Sequence, residues 1–337
     1  MPKTKRLVWM LKLAIGLALI AALLLWDDNG RKLLRELGNI QPALLALAFL
    51  ITITQDVVSS YRWSLFVRAR DVGITQLMLF RYYLIGRFFN NFAPSMFGGD
   101  VVRMYLLGRN AKSYSVSGAS VILERASGLI GLVLTALVFF AFNSRLVGNP
   151  IITLSIAGTV LCCAIFIVSM VTSFSLERII ESWPLPGFVA KLARKFDSMM
   201  TEIRVFRYQR RVLFKSVAYS VVFQVLGGLL VYTVARSIGF EPPLLDVMVI
   251  TPVIMFLSMI PVSPNNVGWW EWCFSVLLLE AGGTAAQGLA VALLIRALMI
   301  LLSIIGGVLF LLDRPPLDSD ALAKVDESLP DLPPAAS

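Results

Sequence analysis

Two short stretches concentrate chemistry-capable residue types inside otherwise apolar segments. The first runs Asn90-Asn91-Phe92-Ala93-Pro94-Ser95-Met96-Phe97-Gly98-Gly99-Asp100-Val101-Val102-Arg103. Pro94 has no backbone N–H to donate and disfavours helix before it. Gly98 and Gly99 permit a tight bend and close backbone approach. A helix restarting there presents free N–H groups and its positive dipole end, which attract an anion such as phosphate. Asp100 and Arg103 stand three apart and share one helix face, as a binding pair or as a salt bridge that only holds the turn. The second stretch runs Ile260-Pro261-Val262-Ser263-Pro264-Asn265-Asn266-Val267-Gly268-Trp269-Trp270-Glu271. Ser263, Asn265 and Asn266 can hydrogen-bond a polar headgroup, and Glu271 stands after this turn as Asp100 does after the first. Trp269 and Trp270 fit either the site or an anchoring role at the membrane surface.

Further ionisable residues lie within apolar runs: Arg87, Glu124, Arg125 and Arg296, with Asp56 as a candidate partner. Charges at membrane depth are costly, so they face a cavity or each other. Arg81 is expected to snorkel to the interface. As a set, the arginines would hold phosphate bidentately and the carboxylates would hold an amine.

The elements that must position these residues are membrane spans. The chain has 337 residues, 58% hydrophobic and 15% charged, with mean hydropathy +0.79. A soluble domain needs more polar surface. Apolar runs of about 20 residues recur throughout, the length that crosses a bilayer as helix. The expected class is an all-α polytopic membrane protein, and no alternating strand pattern suggests a barrel. The spans fall at 7–26, 42–66, 115–142, 151–174, 213–238 and 284–312, with broken apolar pairs at 74–107 and 244–280. The first run follows Lys3, Lys5 and Arg6 and ends at Trp26-Asp27-Asp28, so it reads as a retained helix rather than a signal peptide. Residues 177–215 are basic and partly amphipathic, expected as a surface helix on anionic lipid. The acidic, Pro-rich tail at 313–337 is expected to be disordered. The net charge of +9 suits cytoplasmic loops against lipid rather than nucleic acid. With no histidine, Ser-His and Cys-His catalysis and His-ligated metal are excluded. Cys162, Cys163 and Cys273 suggest no disulfide framework.

The bias of Lys and Arg orients the chain. With the N-terminus inside, Arg62, Arg68 and Arg70 fall inside. Arg109, Lys112 and the run holding Arg194, Lys195, Arg204, Arg207, Arg210 and Arg211 join them only if each broken pair is a re-entrant hairpin. Residues 42–142 then read span, hairpin, span, and 213–312 repeat that unit upside down. Inverted repeats with broken helices are a recurrent plan in transporters, with the substrate near the midplane.

The pattern Asn91…Pro94…Gly98-Gly99-Asp100…Arg103, then Glu124-Arg125, then Pro261…Gly268…Glu271 resembles the lysylphosphatidylglycerol synthase transmembrane-region, or flippase-like, family. The resemblance covers about residues 7–312. Where the family has a glycine-rich second turn, this chain has Asn265-Asn266. In two-domain members this region moves an aminoacylated lipid while a soluble domain makes it. With no stretch long enough for that domain, the resemblance implies a stand-alone translocator.

The expected function is movement of a polar or aminoacylated phospholipid across a bacterial cytoplasmic membrane, with both termini cytoplasmic and no cofactor. The expected substrate-binding residues are Arg87, Asn91, Gly98, Gly99, Asp100, Arg103, Glu124, Arg125, Ser263, Asn265, Asn266, Gly268, Glu271 and Arg296. The alternatives are a transporter of a small anion or zwitterion, a lipid-modifying transferase using Asp100, Glu124 or Glu271 as base, and an accessory subunit docking a lipid-synthesising enzyme.

Overall fold

A computed structural model describes residues 3–25, 29–92, 98–171, 209–260 and 262–313. The surface helix expected over 177–215 therefore lies outside the described residues as far as 208. So do the tail from 314 onward, Pro94 with its neighbours, and Pro261. The described residues are helical, without strands.

Helix α1 covers Lys3–Leu25 and α2 covers Asn29–Gly38. Asn29 Nδ2 donates to the Leu23 carbonyl at 3.0 Å, joining the two. This segment falls between the expected spans 7–26 and 42–66. Its charged Arg31, Lys32, Arg35 and Glu36 masked an apolar stripe of Leu33, Leu34 and Leu37, the pattern of a surface helix. Helix α3 is Pro42–Arg68 with proline in its first turn. Then come α4 (Gln76–Phe92), α5 (Gly98–Ala111), α6 (Tyr114–Ala141), the short α7 (Ser144–Val147) and α8 (Pro150–Val171). The last group is α9 (Arg210–Ser237), α10 (Leu244–Leu257), a 3₁₀ turn at Pro264–Asn266, α11 (Trp269–Leu277) and α12 (Ala285–Asp313).

Length separates spans from hairpin limbs. Helices α3, α6, α9 and α12 have 27 to 29 residues and are apolar enough to cross a membrane. At 1.5 Å per residue each is about 40 Å long, against a hydrocarbon core of about 30 Å. The limbs α4, α5, α10 and α11 have 17, 14, 14 and 9 residues, the longest only about 26 Å. None crosses alone.

Contacts fix where each limb pair begins and ends. Asn110, near the end of α5, hydrogen-bonds the Tyr82 hydroxyl near the start of α4. Toward the tip, Gly99, the second residue of α5, backs directly onto Gly86 of α4. The pair is thus an antiparallel hairpin with its base beside the end of α3, where Arg68 meets Gln76 at 3.3 Å. The base of the second pair lies at the other end of α6. There Asp246, starting α10, takes Asn143 at 2.7 Å and Arg145 at 2.9 Å, and Glu280, after α11, takes Asn149 at 2.5 Å. The two hairpins enter from opposite ends of α6. Helices α3 and α9 run antiparallel: Gln209 reaches the Ala69 carbonyl at one end, and Gln41 N–H meets the Ser237 carbonyl at the other. The apolar core sits between α9, α10, α11 and α12, with a second cluster between α3 and the first hairpin.

Candidate functional site

Asn265 Nδ2 donates to the Asn91 carbonyl at 2.6 Å, so the tips of the two hairpins meet. Asn91 in turn donates to the Met299 carbonyl on α12 at 3.3 Å. Beside this junction lies a cavity of about 380 Å³, within the size range of small-ligand sites. Its charged lining is Arg62, Arg87, Asp100, Arg103, Glu124, Arg125 and Arg296. Its apolar lining includes Leu129, Leu132, Met255, Met259 and Met299.

Local sequence explains the tip geometry. Asn265 and Asn266 both take left-handed backbone, with φ of 50° and 53°. Asparagine is the side-chain-bearing residue that tolerates this region best, so the pair does the conformational work expected of the family's glycines. Asn266 Nδ2 then closes the turn on the Ser258 carbonyl. Gly268, at φ +86°, starts α11, and its N–H donates to Glu271 Oε2 at 2.7 Å. The other oxygen of Glu271 accepts from Arg296 Nε at 2.6 Å. Arg296 also reaches the carbonyls of Asn265 and Asn266 at 3.5 and 3.3 Å, tying α12 to the turn.

The first hairpin is held the same way from the other side. Asn90 Oδ1 accepts the Gly99 N–H at 2.8 Å, so a side chain occupies one of the α5 N-terminal donors expected to meet an anion. Asp100 accepts from Arg103 at 2.9 Å and from Arg125 at 3.0 Å. Glu124 Oε1 accepts from Arg62 at 2.8 Å and Ser59 at 3.1 Å. Glu124 Oε2 lies 2.9 Å from Arg103 as an ion-pair contact. Arg87 pairs with the fully buried Asp56. Arg103 lies over both Trp63 and Tyr83, each ring centre 5.0 Å from its guanidinium carbon, a cation–π arrangement.

The cavity brings together Arg87, Asn91, Asp100, Arg103, Glu124, Arg125, Asn265, Asn266 and Arg296 of the expected set. Glu271 stands behind Arg296. Three others serve packing instead. A Cβ on Gly99 would lie 1.8 Å from the Gly86 carbonyl oxygen, and one on Gly268 would lie 2.1 Å from that of Gly16. These glycines let helices touch and leave no room for a headgroup between them. Ser263 donates to the Val267 carbonyl at 2.7 Å and faces Gly16 on α1. Gly98 starts α5 and does not line the cavity.

Two assignments change. Arg62, counted with Arg68 and Arg70 among the basic residues on the cytoplasmic side, is buried on α3 and salt-bridged to Glu124; its helix continues to Arg68, two residues past the expected span. Trp270, considered as a surface anchor, is buried and lines the cavity, while Trp269 Nε1 bonds the Leu257 carbonyl at 2.8 Å. Arg81 pairs with Asp313, the last residue of α12, at 2.5 Å. Sequence reading missed Ser59, Tyr83 and Gln224. The signal for α3 was present: Thr52, Gln55, Asp56, Ser59, Ser60 and Arg62 are polar residues inside a span, all buried.

A family profile described as the lysylphosphatidylglycerol synthase TM region matches residues 9–307. A UPF0104 membrane protein of Pyrococcus horikoshii is 24% identical over 330 residues, covering 90% of this chain and 97% of the relative. One from Methanothermobacter thermautotrophicus is 24% identical over 292 residues, covering 80% and 85%. One from Methanocaldococcus jannaschii is 28% identical over 124 residues, covering 36% and 35%. No solved structure matches the chain. With nearly its whole length matched, this multi-pass membrane protein belongs to the lysylphosphatidylglycerol synthase TM region family.

Proposed function

We propose that this protein is a lipid translocator, not an enzyme, and that the cavity between the hairpin tips carries a polar headgroup while the acyl chains stay in the bilayer. The observation that carries this reading is the joining of the two broken-helix tips beside a charged cavity by the Asn265–Asn91 bond. Non-helical backbone at membrane depth persists where it lines a cavity. Arg125 adds support. It stands 11 residues into α6, about 16 Å from its start, yet its side chain is 46% exposed. A half-exposed arginine at that depth fits a wet lateral opening through which a headgroup enters.

The two halves, 42–142 and 213–312, act in this reading as inverted repeats that rock to alternate access. Contacts pair off in support of it: α3 packs on α4 as α9 does on α10, α5 on α6 as α11 on α12, and α4 on α12 as α10 on α6. Basic Arg68, Arg70, Arg109, Lys112, Arg210 and Arg211 sit at the base of the first hairpin and the adjoining start of α9. That end is assigned to the cytoplasm, together with both termini. The basic segment 177–215 would meet anionic lipid, or an enzyme that makes the substrate.

The test is reconstitution of the pure protein into vesicles holding a headgroup-labelled phospholipid. A membrane-impermeant quencher should reach label beyond the outer-leaflet share only when protein is present. Loss of signal equal to that of empty vesicles would rule the reading out. Protein-dependent uptake of a water-soluble phosphate ester without lipid movement would favour the small-anion transporter.

A further inference from the structure

We infer that the cavity takes a singly anionic phosphate ester and disfavours a headgroup carrying a free ammonium. This rests on the translocator reading and narrows its substrate class. The inference starts from charge. Five guanidiniums, of Arg62, Arg87, Arg103, Arg125 and Arg296, meet four carboxylates, of Asp56, Asp100, Glu124 and Glu271. One positive charge is left over. Arginine stays protonated at any relevant pH, so the surplus is permanent while the carboxylates are ionised.

Hydrogen bonding points the same way. Each carboxylate that reaches the cavity is already held. Asp100 gives one oxygen to Arg103 and the other to Arg125. Glu124 gives one to Arg62 and Ser59 and sets the other against Arg103. Asp56 keeps one oxygen without a partner, but it does not line the cavity. Donors, by contrast, are in surplus. Arg103 is buried, and its Nε and Nη1 have no hydrogen-bond partner. Three of its five N–H groups are thus unspent. Arg62 Nε and Arg87 Nε are unspent as well. Buried donors left unmatched are destabilising, and an acceptor with several lone pairs satisfies them. Phosphate oxygens are that acceptor, and the guanidinium fork matches them. Two acceptors on the lining make no hydrogen bond: Glu124 Oε2, which stands 2.9 Å from Arg103 in an ion pair, and Asn266 Oδ1, which suits a hydroxyl. An ammonium group would find each carboxylate on the lining already ion-paired and would have to compete with an arginine for it.

The test takes the full chain in detergent and offers it four probes in turn. They are phosphatidylglycerol (singly anionic), phosphatidylethanolamine (zwitterionic), lysylphosphatidylglycerol (net cationic) and glycerophosphoglycerol, the same singly anionic phosphodiester without acyl chains. Native mass spectrometry counts what is retained, and a thermal melt reads stabilisation. Phosphatidylglycerol should be retained at least about tenfold more strongly than lysylphosphatidylglycerol, a difference worth about 1.4 kcal/mol. Equal or stronger retention of either amine-bearing lipid overturns the inference and leaves translocation standing. Retention of glycerophosphoglycerol alone supports the anion chemistry and overturns the lipid reading. No retention of any probe overturns the inference. Arg125→Gln removes the surplus charge from a half-exposed side chain while Asp100 keeps Arg103, so the fold should survive. Its preference should fall to near parity. A folded Arg125→Gln protein with the full preference shows that charge balance is not the cause.

Discussion

Replacing Glu124 with glutamine tests whether the buried charges act as one balanced set. Glu124 sits between Arg62 at 2.8 Å and Arg103 at 2.9 Å, with all three side chains at least nine-tenths buried. At 2.8 Å and an effective dielectric constant of about 20, the Arg62 attraction alone is about 6 kcal/mol before desolvation is set against it. Glutamine keeps the shape and an acceptor for Ser59 but removes the charge. Five guanidiniums would then face three carboxylates. Breaking a buried pair by removing one partner costs about 3–5 kcal/mol, and Arg103 retains Asp100, so the low end applies. Unfolding of the pure protein in mixed micelles, followed by tryptophan fluorescence, should show a loss of about 3 kcal/mol, roughly two decades in the folding constant. Adding Arg62→Gln restores the original surplus of one charge. The double variant should therefore be more stable than the sum of the singles predicts, by about 2 kcal/mol. A single variant as stable as the parent, or strictly additive costs, would refute the idea that these charges stabilise one another.

Two further outcomes test the frame around the site. Gly99→Ala puts a Cβ 1.8 Å from the Gly86 carbonyl oxygen, where backbone cannot yield; it should lower stability by at least about 1–3 kcal/mol, whereas Gly73→Ala, with nothing within 4 Å, should be silent in the same melt. Cysteines placed at Gly73 and Gly148, both facing open space, should label from opposite sides of sealed vesicles with an impermeant thiol reagent. Labelling from the same side would mean the first hairpin crosses the membrane, because Gly73 precedes it and Gly148 follows α6.

Much of the fold is legible in the sequence because a bilayer imposes simple rules. Helices of 27 to 29 residues must be long apolar runs, and they are. The breaks carry proline and glycine. The turn chemistry of Asn265-Asn266 is legible only as polarity; that both residues take left-handed backbone is a fact of three dimensions. Glycines were the hardest to assign. Gly99 and Gly268 look like ligand-facing residues in a line of text, yet they mark helix contacts with Gly86 and Gly16, which lie 13 and 252 positions away. Charge counting also misled. Arg62 has the same weight as Arg68 and Arg70 in a tally of basic residues, but the helix turns it inward onto Glu124. Pairing was the other unreadable layer. Sequence shows arginines and carboxylates inside spans, and only the folded chain shows that each carboxylate on the cavity stands in an ion pair with an arginine.

The central claim is that a lipid headgroup occupies the cavity between the tips. A phospholipid carrying a photoreactive diazirine on its headgroup tests it in vesicles containing the full chain. Illumination followed by peptide mass spectrometry reads which side chains the headgroup touched. Adducts should appear on Met255 and Met299, which line the cavity, and excess unlabelled lipid should suppress them. Adducts confined to bilayer-facing residues such as Leu50 and Leu301, 58% and 53% exposed, would contradict the claim.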